Sequence, residues 1–493
     1  MSINAIFNTA ASSLTAQRIA LDVTGENIAN VNTEGYSRQR VILETAQPTT
    51  HNGGFPLGSG VNVTAVQRIY DNVLNKQIND GNSVLGNNEQ RLSMLKQLEP
   101  YFNELTGNAL GDAMQGMTDA WQSLSLNPSG LAERQTVIGK ATILTDTFYA
   151  INNSITNVQT FADQSITSVA TDITQKSKEI AELNSEILIT EQASGNANEL
   201  RDKRDLLVQQ ISKQVGVTSA EQPNGTLTVK LLGGQDLVNG FNYATLYSNT
   251  VGPSVTDNTV LITAVGNPPP AAVPATDTNV TATIGGSNNS QGQIGGLLYS
   301  RDTAMPGYLA SLDELAYNLA QQTNSVHAAG WNLNNATGVN FFSPATPTVP
   351  PAPAATFAGY SKTIAVAITS TNEIAAADTN PLIGGVGNNK NALLLKDLSN
   401  TPVAFAGGVQ STTGSYYNAL VSSIGVDVQS ATNLAAQNTS FVRQLSALRE
   451  SNSGVSLDEE LINLMKYQKA FEGAARVINT ATQMLDTILG MVR

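Results

Sequence analysis

The chain has 493 residues, a formal net charge of −13, no cysteine and only 13% charged residues. That balance excludes a general affinity for nucleic acid, which needs a basic stripe to displace counterions from phosphate. The missing thiols exclude a disulfide framework and thiolate metal sites. The length allows about three domains, and a surface of Asn, Gln, Ser and Thr can be buried against another subunit without desolvating ions. No apolar run approaches the roughly 20 residues that span a bilayer, so no membrane partner is expected. Met1 to Ala20 is amphipathic rather than basic and then continuously apolar, so no Sec-type signal is expected and any export takes another route.

In chain order, Ile3, Phe7, Ala10, Leu14, Gln17, Leu21, Thr24 and Ile28 follow a three-and-four spacing that predicts one long helix over 3–28. Helical spacing recurs over about 84–126 and 131–214, interrupted at Gly195 and Asn196, which predicts a helical hairpin. At Pro223-Asn224-Gly225 the pattern changes to alternation, with strands expected at 226–231, 259–263 and 279–284. Helix returns over 293–328. A second β-like insertion opens after Phe341-Phe342 with five prolines between 344 and 353, followed by an expected strand at 363–368. Helical spacing resumes over 414–450.

At the C-terminal end, Leu457, Leu461, Leu464, Gln468, Phe471, Ala475, Ile478, Thr482, Leu485, Leu489 and Val492 repeat the spacing of the first helix, and nine of these eleven are apolar. Ser456 and Glu459 offer a capping box that starts this helix near Leu457. Gln17, Thr24, Gln468 and Thr482 interrupt the two stripes. They either fix register as buried polar residues or are partly exposed.

The expected architecture is a multidomain α+β protein with paired N- and C-terminal helices in a coiled-coil layer, a long-helix bundle and inserted β domains. Residues 1–50 with 454–493 form the terminal assembly unit, and 51–220 with 290–340 and 413–453 form the bundle. A β domain spans 221–289 and a β-rich insertion spans 341–412. Two solitary apolar stripes at opposite ends of one chain offer each other a partner.

Directly after the first helix comes Ala29-Asn30-Val31-Asn32-Thr33-Glu34-Gly35-Tyr36-Ser37-Arg38-Gln39. Read physically, this is a helix exit of turn-favouring residues that leads into an extended segment. As a string it resembles the signature after the first helix of the axial proteins of the bacterial flagellum, the rod, hook and hook-associated subunits. Gly35 to Gln39 looks most like the first hook-associated protein (FlgK) family, the hook–filament junction subunits. Leu464 to Ile478 and Met484 to Gly490 resemble the matching terminal helix. The two matches cover about 80 residues, and the β insertions carry no resemblance.

The resemblance implies a non-enzymatic structural subunit, exported unfolded through the flagellar type III apparatus and assembled outside the cell. It also implies a ring of like subunits between the hook protein and the next hook-associated protein, with an export chaperone as a further partner. The implied assembly interface comprises Ile3, Phe7, Leu14, Leu21, Ile28, Asn30, Asn32, Thr33, Gly35, Tyr36, Ser37, Arg38, Gln39, Leu461, Leu464, Gln468, Phe471, Ile478, Leu485 and Leu489. Tyr36, Arg38 and Arg40 read either as an interface patch or as a solvated connector.

Catalysis has little to work with. His51 and His327 are the only histidines and are expected at the surface. No zinc helix, nucleophile elbow or phosphate loop is present, so no catalytic, cofactor or metal residues are expected. Asp458, Glu459 and Glu460 suit the first turn of the last helix through its dipole. The alternatives are a hook or distal rod protein with the same ends, or an axial scaffold displaying an adhesive domain.

Overall fold

In the computed structural model, residues 3–50, 56–102, 110–252, 254–285, 291–344 and 357–491 are described. The first helix, α1 (Ile3–Ala29), leads into an antiparallel hairpin of β1 (Gln39–Thr45) and β2 (Val61–Arg68). Its register sets Gln39 opposite Arg68 and Thr45 opposite Val61, with a bulge between Ile42 and Leu43.

The bundle begins at α2 (Asn72–Leu98), where Asp71 caps the free N–H groups of Val73 and Leu74 at 3.0 Å. The helical run expected over 84–126 is two helices, because a 3-10 turn at Glu99–Phe102, containing Pro100, ends α2 before α3 (Leu110–Leu126). The longest element is α4 (Leu131–Ser194), 64 residues or about 96 Å at 1.5 Å per residue. Val137, Leu144, Phe148, Ile155, Ile166, Ile173 and Ile180 recur on one face of it and are fully buried. Gly195, at φ 102°, breaks the helix and returns the chain as α5 (Asn198–Gln214).

A four-stranded meander follows, β3 (Val217–Glu221), β4 (Leu227–Leu231), β5 (Asp236–Asn239) and β6 (Asn242–Tyr243), in that order. Buried Asn184 of α4 fastens it. Its Nδ2 donates to Leu227 O at 2.9 Å and Gly240 O at 2.6 Å, and its Oδ1 accepts from Leu227 N at 2.9 Å. A second antiparallel sheet joins β7 (Leu246–Asn249), β8 (Thr259–Ile262) and β9 (Thr278–Asn279), with β8 central. The strand expected at 279–284 stops after Asn279. There Asn279 Oδ1 accepts from Thr281 N at 2.9 Å and starts a helical turn, Thr281–Gly285.

The chain re-enters the bundle as α6 (Gly292–Tyr299), a π segment at Ser300–Ala304 and α7 (Met305–Ala329). Between 357 and 412 the strands among the described residues are two-residue pairs, and the expected strand 363–368 is a helical turn to Thr363 and then Ala365–Val366. Side chains of the bundle hold this segment instead of a sheet. Asn324 Oδ1 accepts from Phe341 N and Phe342 N at 2.8 Å, Asp313 accepts from Gly359 N and Ser361 N, and Arg134 donates to the carbonyls of Thr371 and Ile374.

His327, expected at the surface, is fully buried at this junction. Its Nε2 accepts from Ala375 N at 2.9 Å, so Nδ1 carries the proton and donates to Val339 O at 2.7 Å. Burial, with Arg134 nearby, lowers its pKa to about 4. His51 lies outside the described residues. After α8 (Lys390–Asp397), the chain returns through α9 (Thr413–Ser453), packed on α2, to α10 (Leu457–Met491), packed on α1.

Candidate functional site: the joint between the two chain ends

The exit from α1 is a locally closed turn. Asn30 Nδ2 donates to Glu26 O and Oε2 at 3.1 and 3.2 Å, and Thr33 Oγ1 donates to Asn30 Oδ1 at 3.1 Å. Gly35 has φ 85°, and a Cβ there would face Leu206 of α5, so the turn needs glycine for its backbone. Asn30 and Thr33 thus shape the connector, and Asn32 is exposed.

The centre of the joint is Asn27, 1% exposed. Its Oδ1 accepts from Tyr36 OH and Gln39 N, both at 2.9 Å, and its Nδ2 donates to Gln39 O at 2.9 Å and Glu460 Oε2 at 3.0 Å. One amide uses both N–H groups and both acceptor positions, and so ties α1, the connector, β1 and α10 together. Arg38 adds a second tie. Its backbone N donates to Ser453 O at 2.9 Å, Nη1 pairs with Glu459 Oε2 at 2.7 Å and Nη2 lies 2.6 Å from Glu460 Oε1. Partial burial works against the Arg38 charge, and Glu460 and Glu459 outweigh it, holding the guanidinium above its usual range. The Glu459 side chain, expected to reach back in a capping box, is committed to Arg38.

The same connector is anchored to the bundle. Ser37 N donates to Asp202 Oδ2 at 2.8 Å, and Arg68 Nη1 reaches Asp202 Oδ1 at 2.8 Å and Asp205 Oδ2 at 2.7 Å. Gln39 Nε2 donates to Glu199 Oε1 at 2.8 Å, and Asn198 Nδ2 donates to Gln39 Oε1 at 2.9 Å. Burial pushes the Asp202 carboxyl up while Arg68 and the Ser37 N–H pull it down, leaving it above the usual range. Burial, with Glu26, Glu199 and Asp202 near, drives the Tyr36 phenol far above its ordinary value and keeps it a neutral donor.

The two apolar stripes fare differently. On α1, Phe7, Leu14, Leu21 and Ile28 are half-buried, with Ala10, Ala16, Ala20 and Thr24 buried among them; the Ile3 side chain lies outside the described residues. On α10 the face against α1 takes in only part of the expected stripe. Glu460, Ala474 and Ala481 are buried, Leu464, Tyr467, Ala470, Ile478 and Leu485 are half-buried, and Leu461, Gln468, Phe471 and Leu489 are exposed. A stripe read at strict heptad spacing drifts by about 20° per heptad around a straight helix, and small residues mark where the helices meet. The large side chains Leu457, Leu461, Met465, Val477, Met484 and Ile488 flank this alanine seam and face outward. Gln468 and Thr482 are exposed, so neither fixes register inside the subunit.

Sequence reading missed Asn27, Arg68, Asp202 and Ser453, and took Glu460 for a dipole partner. Thr24 and Asn27, three apart, are polar on the buried side of α1, a signal available in the sequence. No group of three or more His, Asp or Glu side chains is placed to hold a metal among the described residues.

A helix from each end of the chain, joined by a buried polar clamp and leaving large apolar side chains open, is built as an assembly subunit, and both ends match models of flagellar axial proteins. Residues 7–36 match the family model described as flagella basal body rod protein, and 449–491 match that of the flagellar basal body rod FlgEFG protein C-terminal. Residues 95–342 match the flagellar hook-associated protein FlgK helical domain. The chain belongs to the flagellar hook-associated protein FlgK family, a structural component of the bacterial flagellum and not an enzyme. It is 27% identical to flagellar hook-associated protein 1 of Bacillus subtilis over 510 residues, covering 98% of this chain and 97% of the relative. It is 26% identical to that of Salmonella typhimurium, covering 99% and 100%. The flagellar hook junction protein FlgK from Burkholderia pseudomallei shares the fold, with TM-score 0.62 at 17% identity over 76% of this chain and 100% of that one.

Proposed function

We propose that this chain is the junction subunit between hook and filament, and that it polymerises through its paired terminal helices. The observation that carries this is the open apolar face of α10. Leu461, Met465, Val477, Met484, Ile488 and Leu489 are exposed on either flank of the side that α1 covers, and exposed large apolar side chains grouped on one element mark an interaction site. Neighbouring copies supply what a single chain lacks, so the terminal layer gains its full packing on assembly.

The clamp at Asn27, Arg38 and Glu460 sets the angle at which this layer meets the bundle. In this reading Leu461, Phe471 and Leu489 contact neighbours, whereas Leu464, Ile478 and Leu485 pair with α1. The subunit is exported by the flagellar type III apparatus with a chaperone, forms a ring with its own copies, and meets hook protein on one side and the next hook-associated protein on the other. The match of 95–342 to a hook-associated helical domain favours this over a hook or distal rod protein. A deletion strain tests it: hooks without filaments and flagellin shed to the medium are expected, and missing hooks would support the rod or hook alternative.

A further inference from the structure

The chain has eight methionines and no cysteine, so methionine carries all of its sulfur. Met1 lies outside the described residues, and the other seven divide by place. Met94 and Met305 are 0% exposed and Met117 is 6% exposed in the bundle core, with Met114 half-buried against it. Met465, Met484 and Met491 are 58%, 52% and 82% exposed, and all three belong to α10. Met484 stands seven residues from both Val477 and Met491 and four from Ile488, so these four exposed side chains line one flank of the helix. Met465 follows Leu461 by four residues and Ile462 by three, and both of those are exposed as well.

An unbranched thioether is apolar and adaptable, which suits a face that packs against a neighbour. The same sulfur is oxidisable wherever solvent reaches it. With hydrogen peroxide, a sulfur lone pair attacks one peroxide oxygen, and a sulfur–oxygen bond forms as the oxygen–oxygen bond breaks. The displaced hydroxide takes the proton of the transferred hydroxyl and leaves as water. The sulfur has then lost two electrons, the peroxide has gained them, and the side chain is a sulfoxide.

A sulfoxide is polar. On the free chain the three α10 sulfoxides stand in water, so the fold tolerates them, whereas between two apolar faces each has to be buried without a hydrogen-bond donor. The core methionines, shielded from solvent, keep their sulfur reduced. We infer that Met465, Met484 and Met491 form a peroxide-modified site on the unassembled subunit and that their sulfoxides block its entry into the polymer, an inference that rests on the reading of α10 above. Packing between copies closes the same sulfur atoms to solvent, so a subunit already assembled is protected.

Purified full-length chain, treated with limiting hydrogen peroxide and mapped by peptide mass spectrometry, should gain one oxygen at Met465, Met484 and Met491 at least about tenfold faster than at Met94, Met117 and Met305. Its helical content should not change. Incorporation onto isolated hooks should fall about tenfold or more after this treatment, and methionine sulfoxide reductases should restore it. The volume-conserving variant Met465→Leu/Met484→Leu/Met491→Leu should incorporate as the unmodified chain does, and should go on doing so after peroxide. Equal oxidation of core and α10 methionines overturns the site. Full incorporation of the oxidised chain overturns the block, and so does an equal loss in the leucine variant. A selective peptide map from a chain that does not incorporate even untreated supports the site and overturns the polymer reading.

Discussion

Asn27 and Glu460 stand 433 positions apart in the chain and share a buried hydrogen bond of 3.0 Å. The bond makes the two ends one unit, because Asn27 is also hydrogen-bonded to Tyr36 and Gln39, and Glu460 is ion-paired with Arg38. Neither partner tolerates loss of the other cheaply, since a buried polar group left unpaired is penalised more than a made bond is rewarded.

Asn27→Ala should therefore loosen the joint by about 2 kcal/mol while the bundle core stays intact. Hydrogen exchange checks this: amides of α10 and of β1 near Gln39 should lose protection, and those of α4 should not.

Glu460→Ala is expected to be harsher, about 3 kcal/mol, because it breaks a buried ion pair as well as a hydrogen bond. Arg38 keeps Glu459 as a partner, which limits the loss. Glu460→Gln retains a bonding group for Asn27 and should fall between the wild type and the alanine variant in urea titrations of the terminal unit.

Acid should weaken the packing of α7 against residues 371–377. His327 is held neutral with a pKa lowered to about 4, whereas an unfolded histidine titrates near 6.5. Between those values the unfolded state binds the extra proton, so the stabilisation is complete above about pH 6.5 and is lost as pH falls toward 4. At pH 5 the loss is about 2 kcal/mol relative to pH 7. Exchange of the Ala375 amide at the two pH values, corrected for intrinsic rate, reads this directly, and His327→Gln should flatten the dependence.

Gly86 lies where α2 crosses α5, and a Cβ there would stand 2.0 Å from Lys213 O. Gly86→Ala forces the two backbones apart and should destabilise the bundle by about 1–3 kcal/mol, seen as a lower thermal midpoint with the helical content retained.

What was legible in the sequence was whatever periodicity controls. The long helices α1, α4 and α10 announce themselves by repeated apolar spacing, and the turn at Pro223-Asn224-Gly225 marks the four-stranded sheet. The region after 341 was harder, because its order comes from Asp313, Asn324, His327 and Arg134 bonding to distant backbone, which leaves no local pattern. His327 followed the same rule: a buried histidine with two backbone partners looks like any surface histidine in a string. The joint was half legible. Tyr36, Ser37, Arg38 and Gln39 stood out, but their partners Asn27, Asp202 and Glu460 are found only once the chain is folded. The α10 stripe was found but its facing only in part, with Leu464, Ile478 and Leu485 half-buried and Leu461, Phe471 and Leu489 exposed, because seven-residue spacing does not say which side of a wide apolar arc the partner covers.

The central claim is that the outward face of α10 joins one subunit to the next, and the double variant Leu461→Asp/Met465→Asp tests it most directly. Both side chains are exposed, so the change should alter folding stability by no more than about 0.5 kcal/mol. Introduced into a deletion strain, it should be exported and folded yet leave hooks without filaments. Filaments of normal number and length in that strain would contradict the account.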